Sequence, residues 1–344
     1  MKTRTTKPWK ILIVLTILLC SLTIPGCISL DTVDSTRPAQ EISITTDNAT
    51  IYLPPLEYDY PASINHNDIE RTFIVHIGLS YDADRPTPLV FVLHGGGGTA
   101  EGMPGFTGFN AIADRENFIV VYPDGIENHW NDGREPKVYS THKENTDDTG
   151  FISMLIDALA QDLNIDMKRV YVTGISNGGM MSHRLGCELS GRIAAIAPVA
   201  SSIPANMEDK WEPSEPVSVL IMNGTHDPLV PWEGGEIRME GIRLGTTIPV
   251  DDTVRFWVDK NGCAVNPEIT KLTERNETDG TSVWMEVYST CTKGVEVVLF
   301  GVENGGHTWP GGFQYAAEHI IGKTSREFDA SEIIWQFFET HAKP

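Results

Sequence analysis

The strongest constraint on the fold of this chain is a serine set between two glycines, Gly174-Ile175-Ser176-Asn177-Gly178. Before it runs Arg169-Val170-Tyr171-Val172-Thr173, short and β-branched, which reads as a buried strand. After it, residues 177–189 (NGGMMSHRLGCEL) read as a helix. A serine between such a strand and helix sits on a tight turn, with its hydroxyl projecting above the sheet edge. Side chains at positions 174 and 178 would there collide with neighbouring backbone. Strand-like and helix-like segments alternate through the middle of the chain, which favours an α/β architecture with a mostly parallel sheet covered by helices on both faces.

Three further motifs follow a set order around that turn. They are Leu93-His94-Gly95-Gly96-Gly97-Gly98, Asn223-Gly224-Thr225-His226-Asp227-Pro228 and Gly305-Gly306-His307-Thr308-Trp309-Pro310. Each follows a strand-like run: Pro88–Leu93, Val217–Met222 and Val295–Phe300 respectively. The chain order of serine, acid and base is that of an α/β-hydrolase fold. A serine cannot attack an ester at neutral pH without a base to take its proton. Of the ten histidines, His307 is the best placed, on a Gly-rich loop before the C-terminal helical stretch. Asp227 is the best orienter, since a carboxylate there fixes the imidazole tautomer and stabilises the imidazolium. His226 reads as a loop residue and His183 as part of the helix after the serine, while Glu303 lies too near His307 in sequence to replace Asp227. The glycine run suits a loop whose N–H groups must approach an oxyanion to about 3 Å, with Gly96 and Asn177 as the donors. A flexible surface turn is the plainer alternative for the run. His94 reads as a brace for this loop rather than a proton carrier.

These residues carry a family resemblance. The segments LVFVLHGGGGTAEGM (89–103), FIVVYPDGIENHWND (118–132), DDTGFISMLIDAL (147–159), RVYVTGISNGGMMSHRLGCEL (169–189), MNGTHDPLVPW (222–232) and NGGHTWPGG (304–312) resemble the esterase family of polyhydroxybutyrate depolymerases and feruloyl or acetylxylan esterases, some of them secreted lipoproteins. The resemblance covers roughly residues 70 to 342, and its Thr-Trp-Pro-Gly after the histidine is more distinctive than the Gly-x-Ser-x-Gly. It implies a triad of Ser176, Asp227 and His307, an acyl-enzyme and no cofactor. Some depolymerases of the group have a cysteine directly after the His-Gly where this chain has Gly96. That departure, with no polymer-binding module or second domain visible up to residue 344, points towards feruloyl or acetyl esters of plant polysaccharide or related small esters. Depolymerisation of hydroxybutyrate oligomers, peptidase activity and a catalytically idle surface-binding lipoprotein are the alternatives. Trp309, Trp130 and Trp232 are the expected substrate contacts, because a phenolic acyl group or a sugar stacks well on indole. For Trp309 the alternative is a core tryptophan propping up the histidine loop. Stretches 201–216 and 232–250, between the core elements, are candidates for a partial cap.

The N-terminus reads as an address. Lys2, Arg4, Lys7 and Lys10 precede the apolar run Ile11–Leu19, as in an export signal over residues 1–26. Leu22-Thr23-Ile24-Pro25-Gly26-Cys27 resembles a bacterial lipobox with Cys27 as the lipidated residue, although Ile24 is unusual at its position. An ordinary cleaved signal or an uncleaved anchor remains open. Residues 27–60 read as a linker or loosely attached strand, and 61–344 as one catalytic α/β domain. The formal charge is −21, and the first 26 residues hold four basic and no acidic groups, so the remainder carries −25. Such a surface argues against nucleic acid, and leaves a membrane as partner only through a lipid anchor. Cys263 and Cys291 are the expected disulfide, with two buried thiols as the alternative, and Cys187 reads as a buried free thiol. No Cys/His spacing resembles a metal site. Asp147-Asp148 reads as a helix N-cap rather than a cation site.

Overall fold

The computed structural model describes residues 42–46, 49–53 and 59–343, apart from positions 240 and 277. The export signal and Cys27 lie outside the described residues. Most of the strands form a ten-stranded sheet. In chain order they are β1 (Asp59–His66), β2 (Ile69–Ile77), β3 (Thr87–Leu93), β4 (Ile119–Pro123), β5 (Ile165–Ile175), β6 (Ala195–Val199), β7 (Ser218–Gly224), β8 (Glu268–Lys271), β9 (Ser282–Tyr288) and β10 (Val297–Glu303). Their spatial order is β8-β9-β10-β7-β6-β5-β3-β4-β2-β1. The six strands from β10 to β4 run parallel, and an antiparallel pair extends each end. A separate antiparallel hairpin, Ile42–Thr46 with Ala49–Leu53, falls within the stretch read as a linker or loosely attached strand.

The longer helices among the described residues are α1 (Phe109–Glu116), α2 (Asp148–Asp162), α3 (Asn177–Glu188), α4 (Val250–Lys260) and α5 (Ala330–Glu339). The central strands are apolar throughout because both faces are covered. Their period-two alternation divides the core in two. Leu89, Phe91 and Leu93 of β3 and Val170 and Val172 of β5 pack with Phe151 of α2, Leu185 of α3 and Trp257 of α4. Val90, Val92 and Tyr171 face the other way, towards Phe109 of α1 and Trp335 and Phe338 of α5. Asp147 caps α2 as expected, its carboxylate accepting from the Gly150 amide at 2.8 Å.

The connections locate the site. From β3 the chain moves one way to β4, then returns past β3 to β5 and continues in the opposite direction. The carboxyl ends of β3 and β5 therefore lie at a topological switch point, the place at which open α/β sheets bind their ligands. The glycine run follows β3 and Ser176 follows β5. Asp227 and His307 follow β7 and β10, which are neighbours in the same parallel set. The four strand-like runs of the sequence are all strands, with ends shifted by at most four residues.

The two stretches left open as a cap are joined to each other. Gly235–Met239 and Ile242–Thr247 form a hairpin, and the 203–205 segment adds to it through Ala205 N–H to Thr246 O at 2.9 Å. Ile237 and Leu244 of this hairpin pack on Met180 of α3 and Val230. Cys263 and Cys291 are disulfide-bonded, and Cys187 is a buried free thiol that burial keeps protonated.

Candidate active site

Ser176 occupies a backbone conformation that few residues other than glycine adopt, φ 57° and ψ −119°. The strain is held by the surroundings. Its N–H donates to Val199 O at 3.0 Å, and α3 begins at the next residue. The turn can close only because residue 178 lacks a side chain: a Cβ there would lie 2.4 Å from His94 O and 2.5 Å from Leu93 O. The serine turn and the glycine run of the β3 loop are thus in direct backbone contact.

Within that run the amides are sorted. Gly97 N–H is bonded to Asn128 O at 2.8 Å and Gly98 N–H to Gly95 O at 2.9 Å. The amides of Gly96 and Asn177 have no hydrogen-bond partner among the described residues. They lie close together, since a Cβ on Gly96 would stand 3.8 Å from Asn177 Cβ. Two adjacent unbonded amides beside a serine can receive a developing oxyanion. His94 is buried beneath the loop, accepting from Gly125 N–H at 2.9 Å and donating through Nδ1 to Gly95 O at 2.7 Å. Burial holds its pKa below the ordinary histidine value, so it stays neutral in its bracing position.

On the other side, His307 Nδ1 lies 2.7 Å from Asp227 Oδ2, both side chains buried. Asp227 Oδ1 accepts from the amides of Leu229 and Val230, each at 2.8 Å. A carboxylate so saturated requires the imidazole to carry its proton on Nδ1, which leaves Nε2 free as a base. The loops that bear them are stitched by main chain: Thr225 N–H donates to Val302 O and His226 N–H to Gly305 O, each at 2.9 Å. The other candidates are placed differently. His226 is exposed and bonds Thr225, Glu303 is exposed at the end of β10, and His183 is buried against Trp257.

Comparison with known proteins identifies the family. Residues 78–204 match the model of the family described as esterase PHB (polyhydroxybutyrate) depolymerase. NocK, a candidate esterase of Nocardia uniformis subsp. tsuyamanensis, is 31% identical over 256 residues, 73% of each chain. The chain belongs to the PHB depolymerase esterase family. It is a carboxylic ester hydrolase. Feruloyl esterase B of Piromyces equi is 28% identical over 243 residues, 69% of this esterase and 42% of that protein. The acetyl xylan esterase structure from Aspergillus awamori shares the α/β-hydrolase fold, with a TM-score of 0.53 over 81% of this chain and 98% of that one at 14% identity.

Two of the three expected substrate tryptophans are elsewhere employed. Trp309 is 1% exposed, packs between Phe106 and Phe109, and donates from Nε1 to Ser331 Oγ at 3.0 Å. It is the core prop of the histidine loop and offers no face to a substrate. Trp130 is fully buried, its indole N–H bonded to His94 O at 3.0 Å, and it supports the glycine loop from below. Apolar bulk next to a catalytic motif marks packing as readily as binding, and the sequence carries no sign of which. Trp232 is partly exposed, 5.4 Å from the Trp284 ring, at a cleft of about 480 Å³ that also reaches Asp227 and Thr225.

Other aromatic groups stand where substrate contacts were expected. His129 and Tyr139 are stacked with centroids 3.6 Å apart, and a Cβ on Gly96 would lie 3.3 Å from His129 Nε2. Tyr315 donates its hydroxyl to His307 O at 2.7 Å, and Phe106 packs edge-on against both Tyr315 and Phe313. His129 lies inside a segment that resembles the family, but nothing in its neighbours separates it from Trp130. Tyr315 and Phe313 carry no motif at all.

Proposed function

We propose that this esterase is an exported serine hydrolase that transfers acyl groups in two steps through Ser176, His307 and Asp227. His307 Nε2 takes the Ser176 hydroxyl proton as the oxygen attacks the ester carbonyl. The amides of Gly96 and Asn177 hold the oxyanion, the alcohol leaves with the proton from His307, and water releases the acid by the same route. The observation that carries this reading is the 2.7 Å contact between His307 Nδ1 and an Asp227 carboxylate whose second oxygen is already bonded to two amides.

The substrates proposed are feruloyl or acetyl esters of plant polysaccharide, or related small esters. The likeness to a protein named feruloyl esterase B supports the first of these. Hydroxybutyrate oligomers are the second reading, favoured by the family model that residues 78–204 match. The test is hydrolysis of methyl ferulate, acetylated xylan, 3-hydroxybutyrate trimer and p-nitrophenyl acetate by the protein and by Ser176→Ala. Ferulate or acetate release lost in the variant supports the proposal, and trimer cleavage without either selects the second reading. Export and a lipid on Cys27 belong to the same proposal. Labelled palmitate should be incorporated by cells expressing the protein and not by cells expressing Cys27→Ser; equal labelling would remove the anchor.

A further inference from the structure

An oxyanion hole works only if its donors are held in place before the charge develops. Asn177 is the first residue of α3, and its side chain is fixed by three hydrogen bonds to one short segment. Its Oδ1 accepts from Trp130 N–H at 2.8 Å, and its Nδ2 donates to Trp130 O at 3.0 Å and to Asp132 Oδ2 at 2.6 Å. The Trp130 amide tells the oxygen end from the nitrogen end, so the orientation of the group is settled.

Asp132 is wholly buried and takes part in no step of the reaction above. Its Oδ1 accepts from Arg134 N–H at 3.1 Å, Arg134 Nε lies 3.0 Å from Oδ2, and His142 Nε2 lies 3.2 Å from Oδ1. His142 Nε2 also reaches Trp130 O at 3.1 Å. Burial would raise the Asp132 pKa, but Arg134 and His142 outweigh it and keep the carboxyl below its ordinary range. The Arg134 charge also offsets a carboxylate that would otherwise oppose an oxyanion nearby. A buried ion pair is a poor source of stability, whereas a fixed buried acceptor is an effective means of orienting a neighbour. The same segment reaches the other donor, since the Trp130 indole bonds His94 O and His94 braces Gly95.

We propose that Asp132, clamped by Arg134 and His142, is a positioning residue of the oxyanion hole, aiming the Asn177 main-chain amide by holding its side chain. This role rests on the serine-esterase reading. The test compares Asp132→Asn, Asn177→Ala and the double variant in the full-length protein, with active sites counted by fluorophosphonate titration. Rates on p-nitrophenyl acetate are measured with the affinity for a trifluoromethyl ketone, which forms an oxyanion adduct on the serine. Asp132→Asn should lower kcat per titrated site about 10- to 100-fold with KM within threefold, a fraction of the loss expected for deleting a donor outright. Ketone affinity should fall in step with kcat/KM. Asn177→Ala should behave alike, and the double variant should lose no more than the worse single one.

Unchanged kcat per site and unchanged ketone affinity in Asp132→Asn, or losses that multiply in the double variant, would overturn the role and leave Asp132 as a support of the fold. If Asp132→Asn does not fold, Asn177→Ala cuts the same link from the other side while leaving Asp132 and its partners in place, and its ketone affinity decides. An unmutated protein that neither turns over ester nor takes the fluorophosphonate would overturn the esterase mechanism itself, and this role with it. Normal turnover by the unmutated protein with unaffected variants would overturn the role alone.

Discussion

The two halves of the candidate site are built differently. The half that holds Asp227 and His307 stands on adjacent parallel strands, β7 and β10, and its loops are joined by main-chain bonds. Its acid is saturated by the amides of the next residues in its own loop. The half that holds Gly96 and Asn177 depends on side chains from a segment that carries no catalytic group. Trp130 and Asp132 reach it from the stretch between β4 and α2, and His142 of the same stretch holds both. Backbone stitching tolerates side-chain change, whereas a buried polar network fails when one member is removed. The first half should therefore be sensitive at the reacting residues alone, and the second at residues well outside the motifs.

The sharpest break is at the reacting groups. Ser176→Ala and Asp227→Asn should each lower kcat by about 10⁴-fold or more, read on p-nitrophenyl acetate, with the folded state retained. An Asp227→Asn enzyme of near-normal rate would show that His307 needs no orienter. The disulfide asks whether the base side also needs a covalent clamp. Cys263→Ser with Cys291→Ser should cost up to about 3.6 kcal/mol of unfolding free energy in urea. Turnover per folded molecule should be unchanged, because neither cysteine touches the catalytic loops.

Trp309 separates packing from binding. Trp309→Phe should cost about 2 kcal/mol of stability through the lost Ser331 bond and the smaller ring. KM should stay within twofold across aromatic and acetyl esters. A KM that rises only for aromatic esters would restore the substrate role. A pH-dependent effect concerns α3, which carries Asn177 and is tied to α4 by Trp257 Nε1–H donating to His183 Nδ1 at 3.0 Å. Burial lowers the His183 pKa from 6.5 to about 3. Between these values the unfolded chain binds a proton that the folded one does not, so stability rises with pH across this window. The slope from this residue should approach about 1.4 kcal/mol per pH unit. Urea midpoints at pH 4 and 7 should draw closer in His183→Gln than in the parent, and an equal spread would remove His183 as the cause.

The legible part of the protein was the part written in contiguous residues. β5, Ser176 and α3 form one uninterrupted stretch, and a strained serine needs glycines at 174 and 178 for steric reasons that local sequence contains. Asp227 and His307 each directly follow the strand of their own motif, so strand recognition located them. Trp130 and Trp309 could not be assigned from sequence, because an indole beside a motif has two uses and burial alone distinguishes them. His129 and Asp132 lie in a segment that resembles the family, but nothing local assigns them a role, since their partners Gly96 and Asn177 are 33 and 45 residues away in the chain.

By itself the sequence determined the parallel sheet, the serine turn and the chain order of Ser176, Asp227 and His307. These follow from periodicity, glycine sterics and short-range connection, which are properties of neighbouring residues. The tertiary structure alone decided which tryptophans became core and which charged groups paired. It also decided that the 201–216 and 232–250 stretches are joined through one hairpin. Those outcomes depend on desolvation and on hydrogen-bond partners brought together by β3, β4 and β5 lying side by side. A carboxylate such as Asp132 has a role only where the fold removes water from it and supplies Arg134, His142 and Asn177 in return.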